Sequence, residues 1–343
     1  MRRSAMEIGI IAPTWLPVPA PAYGGTEAVI DTLARGLQSA GHDVVLVCHP
    51  DSTCPVLRAS VVPAVDTVRM GRASIELEHA LGAYDVLRHC DIVHDHTLAG
   101  PVIAAGRSLQ RVVATNHMPF TRTMNAVFGA AAEYVGLIAI SRSHAASTDL
   151  PISAVVHHGV DVLDFPIGLG DGGYAAVLSR MAPDKGVHRA IAIAKAAGVP
   201  LRIAAKMREP RECEYFARYV EPELTDEIQY VGELDHAAKR ALLADAVALL
   251  NPIMWPEPFG MAMLESLACG TPVIGSPHGA APEIVEHGVS GYLSDDDQQL
   301  VDALVGVGRL DRDACRRRAA EHFSVERMID GHLAAYEAQL RRR

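Results

Sequence analysis

Residues 255–275 read WPEPFGMAMLESLACGTPVIG. Apolar residues at helical spacing over 260–268 give way, after Cys269 and Gly270, to a β-branched run over 271–274, which is the helix-to-strand step of an α/β layer. Pro258 sits where a first helical turn tolerates proline, Phe259 and Gly260 open the helix, and the amides of that turn have no partner inside it. Such a turn attracts anions. Glu257 stands just outside the helix and Glu265 lies five residues beyond Gly260, roughly 7 to 8 Å further along at 1.5 Å per residue. One carboxylate can therefore meet a sugar while the other meets a ribose, with a diphosphate between them. Taken alone, two glutamates on a helix are more simply a solvated face.

The same alternation runs outward in both directions. Strands are predicted over 8–12, 43–48, 91–93, 111–115 and 137–140, with helices over 26–39 and 75–88 and others between. The stretch 164–173, DFPIGLGDGG, has no periodicity and is the expected hinge. The pattern then restarts: strands over 174–178, 201–205, 228–231, 247–250 and 271–274 and helices over 187–197, 237–244 and 260–268, with an acidic turn at Asp295, Asp296 and Asp297 before helices over 311–322 and 325–339. Two doubly wound domains are expected, over 1–163 and 164–323, with 324–343 as a helix packing back on the first. In such sheets ligands bind beyond the carboxyl ends of the strands.

Composition narrows the partners. The 343 residues are 49% hydrophobic and carry a formal net charge of −10, with no long basic run, so neither nucleic acid nor a polybasic membrane contact is expected. The six cysteines are scattered without a C-x-x-C pair, which argues against structural zinc or a disulfide framework and fits the cytoplasm. Arg2 and Arg3 precede an apolar stretch that Glu7 and four prolines break, too short for a signal peptide or membrane span.

Other polar groups fall just after predicted strands. Arg180 and Lys185 share one loop and suit a diphosphate whose charge grows as a glycosidic bond breaks; the pair is otherwise ordinary surface. Tyr23-Gly24-Gly25-Thr26-Glu27 opens a helix, either as a plain turn or as a place where backbone approaches a ligand; it lacks the G-x-G-x-x-G spacing of a dinucleotide site. His117 follows a strand, pointing to a cleft or packed at an interface. His94-Asp95-His96 contains metal-ligand types, but extended chain splays Asp95 to the opposite side, so acceptor binding by His96 is the expectation and no metal site is. Ser141 is placed to touch phosphate or to cap a helix.

Glu257, seven residues, then Glu265 followed by ACGTPVI resembles the E-x7-E signature of retaining glycosyltransferases of the GT-B fold, glycosyltransferase family 4 in particular. The segment SRMAPDKG, 179–186, is similar to that family's diphosphate-binding loop, YVGEL, 230–234, to its nucleoside-facing loop, and HHGVD, 157–161, to the segment joining its domains. The resemblance implies two Rossmann-like domains facing across a cleft. It implies catalytic roles for His117, which contacts the transferred sugar, and for Glu257, Arg180 and Lys185. It implies a donor-binding set of Gly24, Gly25, Arg180, Lys185, Lys206, Leu234, Glu257, Phe259, Gly260, Met261 and Glu265, and acceptor contacts from Trp15, Tyr23, His96 and Asn116.

It also implies same-face attack with retention, the donor phosphate taking the acceptor proton, since no carboxylate of this sequence is placed as a general base. A UDP-sugar as co-substrate, a small-molecule acceptor and no metal or other cofactor complete the expectation. The Arg/Ala-rich composition suggests a secondary-metabolite or small-sugar enzyme, and the chain also resembles glycosyltransferases of orthosomycin antibiotic pathways. A glycosidase needs no diphosphate clamp. A nucleotide-sugar epimerase, a phosphorylase or a non-catalytic nucleotide-sugar binder could use the same architecture.

Overall fold

The β-branched runs form strands and the Ala/Leu-rich stretches form helices, because a central parallel strand is covered on both faces and a helix lying on the sheet buries one apolar stripe. The structure is a computed structural model that describes residues 5–66 and 69–342; the expectation for Arg2 and Arg3 lies outside them. The chain divides into two units, one comprising residues up to Gly159 and from Val325 onward, the other Val160–Ser324.

In the first unit the described strands are β1 (Glu7–Ile11), β2 (Asp43–Val47), β3 (Leu57–Ala59), β4 (Ile92–Asp95), β5 (Val112–Thr115), β6 (Gly136–Ala139) and β7 (Ile152–Val155). They alternate with α1 (Gly25–Ser39), α2 (Ala73–Val86), α3 (Ala99–Gly106), α4 (Arg122–Gly129) and α5 (Arg142–Ala146). All pair in parallel, in the order β3-β2-β1-β4-β5-β6-β7. One core joins Ile11, Val47, Leu87, Val112, Phe128 and Leu137. Side chains of this size contribute roughly 1.5 to 3 kcal/mol each when fully buried.

The second unit holds β8 (Ala175–Arg180), α6 (Val187–Ala197), β9 (Leu201–Lys206), α7 (Pro210–Tyr219), β10 (Ile228–Gly232), α8 (His236–Asp245) and β11 (Ala248–Asn251). It continues with α9 (Met261–Ala268), β12 (Val273–Gly275), α10 (Ala281–Ile284), β13 (Gly291–Leu293), α11 (Asp297–Val305) and α12 (Arg312–His322). Its parallel sheet runs β10-β9-β8-β11-β12-β13. The last helix, α13 (Val325–Arg341), belongs to the first unit, where it contacts α1, β5 and β7. No described helix is long and apolar enough to cross a membrane.

Several expectations change in detail. The chain passes between units at Gly159/Val160 and at Ser324/Val325. The presumed hinge 164–173 is instead fastened within the second unit: Arg316 donates to the Phe165 carbonyl (3.0 Å), Arg312 to that of Gly168 (2.7 Å), and Gly168 N–H to that of Cys269 (3.0 Å). The acidic triplet is a helix start, since the Asp296 carboxylate accepts the Gln298 amide (2.9 Å) and Asp297 begins α11. Strands β8 and β9 run further than their apolar cores suggest, which makes Arg180 and Lys206 register partners at their carboxyl ends.

Candidate functional site

Both sheets reverse their order between a first and a fourth strand, β1/β4 and β8/β11, and the space beyond the carboxyl ends there is where such sheets bind ligands. In the second unit, β8 delivers Arg180 and a short turn with Pro183, Asp184 and Lys185, closed by Gly186 at φ 68°. A Cβ on Gly186 would lie 2.1 Å from the Pro252 carbonyl oxygen, so the loop lies directly on the segment after β11. The Met254 amide donates to the Asp184 carbonyl (2.8 Å), and Arg189 donates to the Pro252 carbonyl (3.0 Å) and to Ser276 Oγ (3.1 Å). The two stretches read separately in the sequence are thus one platform.

On that platform Glu257 Oε2 accepts a hydrogen bond from Lys185 Nζ and another from Trp255 Nε1 (3.0 Å), while Lys185 Nζ stands 4.5 Å from the Trp255 ring centroid. Gly260 caps α9 at φ 102°, and the helix proper begins at Met261. Pro258 and Phe259 therefore precede the helix instead of opening it. Phe259 is 2% exposed and packs edge-on to Phe323, so its ring is core and its backbone is what it can offer a ligand. Glu265, inside α9, accepts from Lys239 Nζ of α8 (2.6 Å), a partner that sequence reading missed.

Arg180 pairs with Asp184 (3.2 Å). Lys206 is engaged by Glu209 (2.8 Å) and Glu212 (3.1 Å), and Leu234 packs on the small cluster around Ala176 and Leu242. The structure thus brings Lys185, Trp255 and Glu257 together and holds Lys206 on its own acidic partners.

In the first unit the loop between β1 and α1 carries Trp15 and Tyr23. A Cβ on Gly24 would lie 2.4 Å from that of Ala20 and 2.9 Å from Glu27 Oε2, so only glycine fits. Burial pushes the Glu27 carboxyl up to about 7. Gly25 is the first residue of α1.

Beyond β4 and β5 lies a cluster of histidines. Extended chain puts His94 and His96 on one side, ring centroids 4.0 Å apart, and turns Asp95 to the Tyr84 hydroxyl (2.6 Å) and Thr97 Oγ1 (2.8 Å). His94 lies between the Tyr336 hydroxyl and Thr115 Oγ1, 2.8 Å from each. His96 Nδ1 and His117 Nε2 share a hydrogen bond (2.9 Å), and His117 stacks on His158 at 5.4 Å. Burial, with neighbouring histidines, pushes His117 down to about 3 and holds His94, His96 and His158 well below the usual range. Among the described residues no group of three or more His, Cys, Asp or Glu is disposed to hold a metal ion.

Asn116 spends both ends of its amide on Met118, accepting from its N–H (2.9 Å) and donating to its carbonyl (2.7 Å), so it shapes the loop that carries His117. Ser141 caps α5 by accepting the His144 amide (2.9 Å). His332 and Tyr336 come from α13, and a histidine and tyrosine four apart on a late helix gave no signal of meeting β4.

Residues 165–312 match the family model "Glycosyl transferases group 1" and residues 23–162 match "Glycosyltransferase Family 4". The chain is 26% identical over 344 residues to a phosphatidyl-myo-inositol mannosyltransferase of Mycolicibacterium smegmatis, covering 88% of this chain and 84% of that one. A shorter match, 28% identical over 126 residues, is to an N-acetyl-alpha-D-glucosaminyl L-malate synthase of Bacillus anthracis and spans 34% of this chain and 32% of that protein.

Among solved structures, AviGT4, a glycosyltransferase involved in avilamycin A biosynthesis, superposes with a TM-score of 0.73 at 23% identity, covering 98% of this chain and 99% of that one. Alr3699/HepE of Anabaena, solved with UDP and glucose, gives 0.76 at 18% identity over 97% and 99%. Two parallel α/β sheets of this order, with both family models matched in succession, make the chain a member of the GT-B glycosyltransferases.

Proposed function

We propose that the chain is a retaining glycosyltransferase that moves a sugar from a UDP-sugar to the hydroxyl of a small-molecule acceptor without a metal ion. The observation that carries this reading is the convergence of Lys185 and Glu257 beside the left-handed Gly260 cap of α9, with Glu265 one to two turns further along. Amides at a helix start and a nearby ammonium suit a departing diphosphate. Glu257 is then placed for the hydroxyls of the transferred sugar and Glu265 for those of the ribose. Arg180 adds a second cation on the same loop.

In the reaction the bond between the anomeric carbon and the diphosphate oxygen breaks, the acceptor oxygen bonds to that carbon from the same face, and its proton passes to the departing phosphate. In the first unit, His117 is read as the contact to the sugar, the Gly24 and Gly25 backbone as a donor contact, and Trp15, Tyr23, His96 and Asn116 as acceptor residues or their supports. The uracil carrier draws support from the UDP in the HepE structure of the same fold. The six cysteines are all free, which fits action in the cytoplasm. The acceptor is read as a compound of antibiotic or other secondary metabolism, on the composition noted above.

Incubation with UDP-glucose and other UDP-sugars, with and without candidate acceptors and in EDTA, tests the proposal. Acceptor-dependent UDP release that persists in EDTA, with the α-configuration kept in the product by NMR, is the expected result. Loss in EDTA restored by manganese, an inverted product, or acceptor-independent isomerisation of the sugar would each contradict it.

A further inference from the structure

We infer that Trp255 is a positioning residue of the donor site, its indole N–H holding Glu257 and its ring face holding Lys185, so that the lysine can leave for a diphosphate while the glutamate stays in place. The inference rests on the functional reading above and deepens it. Three groups meet at one point: Glu257 Oε2 accepts from both Trp255 Nε1 (3.0 Å) and Lys185 Nζ, and Nζ also lies over the indole at 4.5 Å from its centroid. Both members of the ion pair are largely out of water, with side chains 14% and 16% exposed.

In this arrangement the cation meant for a diphosphate is neutralised by the carboxylate meant for a sugar. A donor diphosphate can take Lys185 only if Glu257 tolerates the loss, and a carboxylate left with no partner at low exposure is strongly disfavoured. The indole N–H removes that obstacle, because it is a neutral donor to the same oxygen and has no reason to follow the lysine. Glu257 Oε2 thus stays anchored, and the carboxylate's other oxygen, Oε1, is left to accept from a sugar hydroxyl.

Among the three residues whose faces bind cations well, tryptophan alone joins the two functions. Phenylalanine has a face and no donor, and tyrosine carries its hydroxyl at the far end of the ring. Trp255 also belongs to the chain segment that holds both partners: Met254 N–H, one residue before it, is bonded to the Asp184 carbonyl of the Lys185 loop (2.8 Å). The geometry lets one side chain register the state of the lysine.

Two measurements test this. In the first, UDP release from UDP-glucose is followed for Trp255→Phe, Glu257→Gln and the double variant. Trp255→Phe should lower kcat about 10-fold while leaving the UDP Kd within about threefold, and the double variant should be no slower than Glu257→Gln alone, because both changes remove one unit. Losses that multiply in the double variant would overturn the positioning role. An unchanged kcat in Glu257→Gln would instead overturn the functional reading on which it rests.

The second uses Trp15→Phe, which leaves Trp255 as the single tryptophan of the chain. Its emission should change on saturation with UDP, or with GDP or ADP if one of these binds more tightly by calorimetry, and Lys185→Met should abolish the change. Nucleotide binding without any emission change would show that the lysine does not leave the ring. Failure of all three nucleotides to bind would remove the donor site and this inference together.

Discussion

Lys239 and Glu265 meet at 2.6 Å with side chains 14% and 9% exposed, an ion pair largely withdrawn from water. Breaking such a pair from one side leaves the other charge uncompensated, a larger effect than losing a surface bridge. Lys239→Met should therefore weaken UDP binding about 10-fold or more through a misplaced Glu265, taking a charge-assisted hydrogen bond as roughly 1.5 to 3 kcal/mol. Calorimetry with UDP checks this; an unchanged Kd would mean that Lys239 only neutralises Glu265 and does not aim it. The two glutamates were legible in the sequence because a spacing along one short stretch of chain is a local pattern. Lys239 was not, because a contact between residues 26 apart on two helices depends on how those helices pack. Phe259 shows the opposite failure: its place in the motif suggested a ligand contact, and only the structure shows its ring spent on Phe323.

Strand β4 and the loops after β4 and β5 carry buried histidines, His94 among them meeting Tyr336 and His332 of α13, and this assembly should make the first unit acid-sensitive. Burial pushes His117 down to about 3 and His144 and His332 to about 4, and holds His94, His96 and His158 well below the usual range. A histidine whose folded value is depressed stabilises fully above its unfolded value of about 6.5, and that stability is lost as pH falls from there through the folded value. Each proton taken up on unfolding costs about 1.4 kcal/mol per pH unit in this window.

Glu27, pushed up to about 7, and Asp95, pushed up to about 6, oppose this, since they stabilise fully below their unfolded values and lose that contribution as pH rises through the folded ones. Six histidines outweigh two carboxylates. The urea midpoint should therefore fall steadily from pH 6.5 to pH 4.5, and in His94→Gln less steeply; a midpoint flat or rising over that range would contradict the account. Periodicity announced α13, yet which strand its His332 and Tyr336 would meet is a matter of tertiary packing. The short β3 and β7 escaped for a related reason: three or four residues beside prolines carry too little pattern to stand out.

Both sheets share the order third-second-first-fourth-fifth-sixth, with β7 added at the edge of the first. That repetition was legible as two successive runs of the same alternation, and it explains why residues far apart in sequence occupy corresponding places: Arg180 ends β8, the 252–260 loop follows β11, Gly24 lies in the loop after β1, and His96 follows β4. The fold places loops and leaves chemistry to the residues on them.

The central claim is a division of labour between two glutamates of one helix start, and titration calorimetry with UDP on Glu265→Gln and Glu257→Gln, alongside initial rates, tests it most directly. Glu265→Gln should weaken UDP and UDP-sugar together by about 10-fold, since both contain the ribose, whereas Glu257→Gln should leave UDP affinity within about twofold and lower turnover. Equal losses of UDP affinity in the two variants, or a glycosyl adduct trapped on Glu257, would contradict the account.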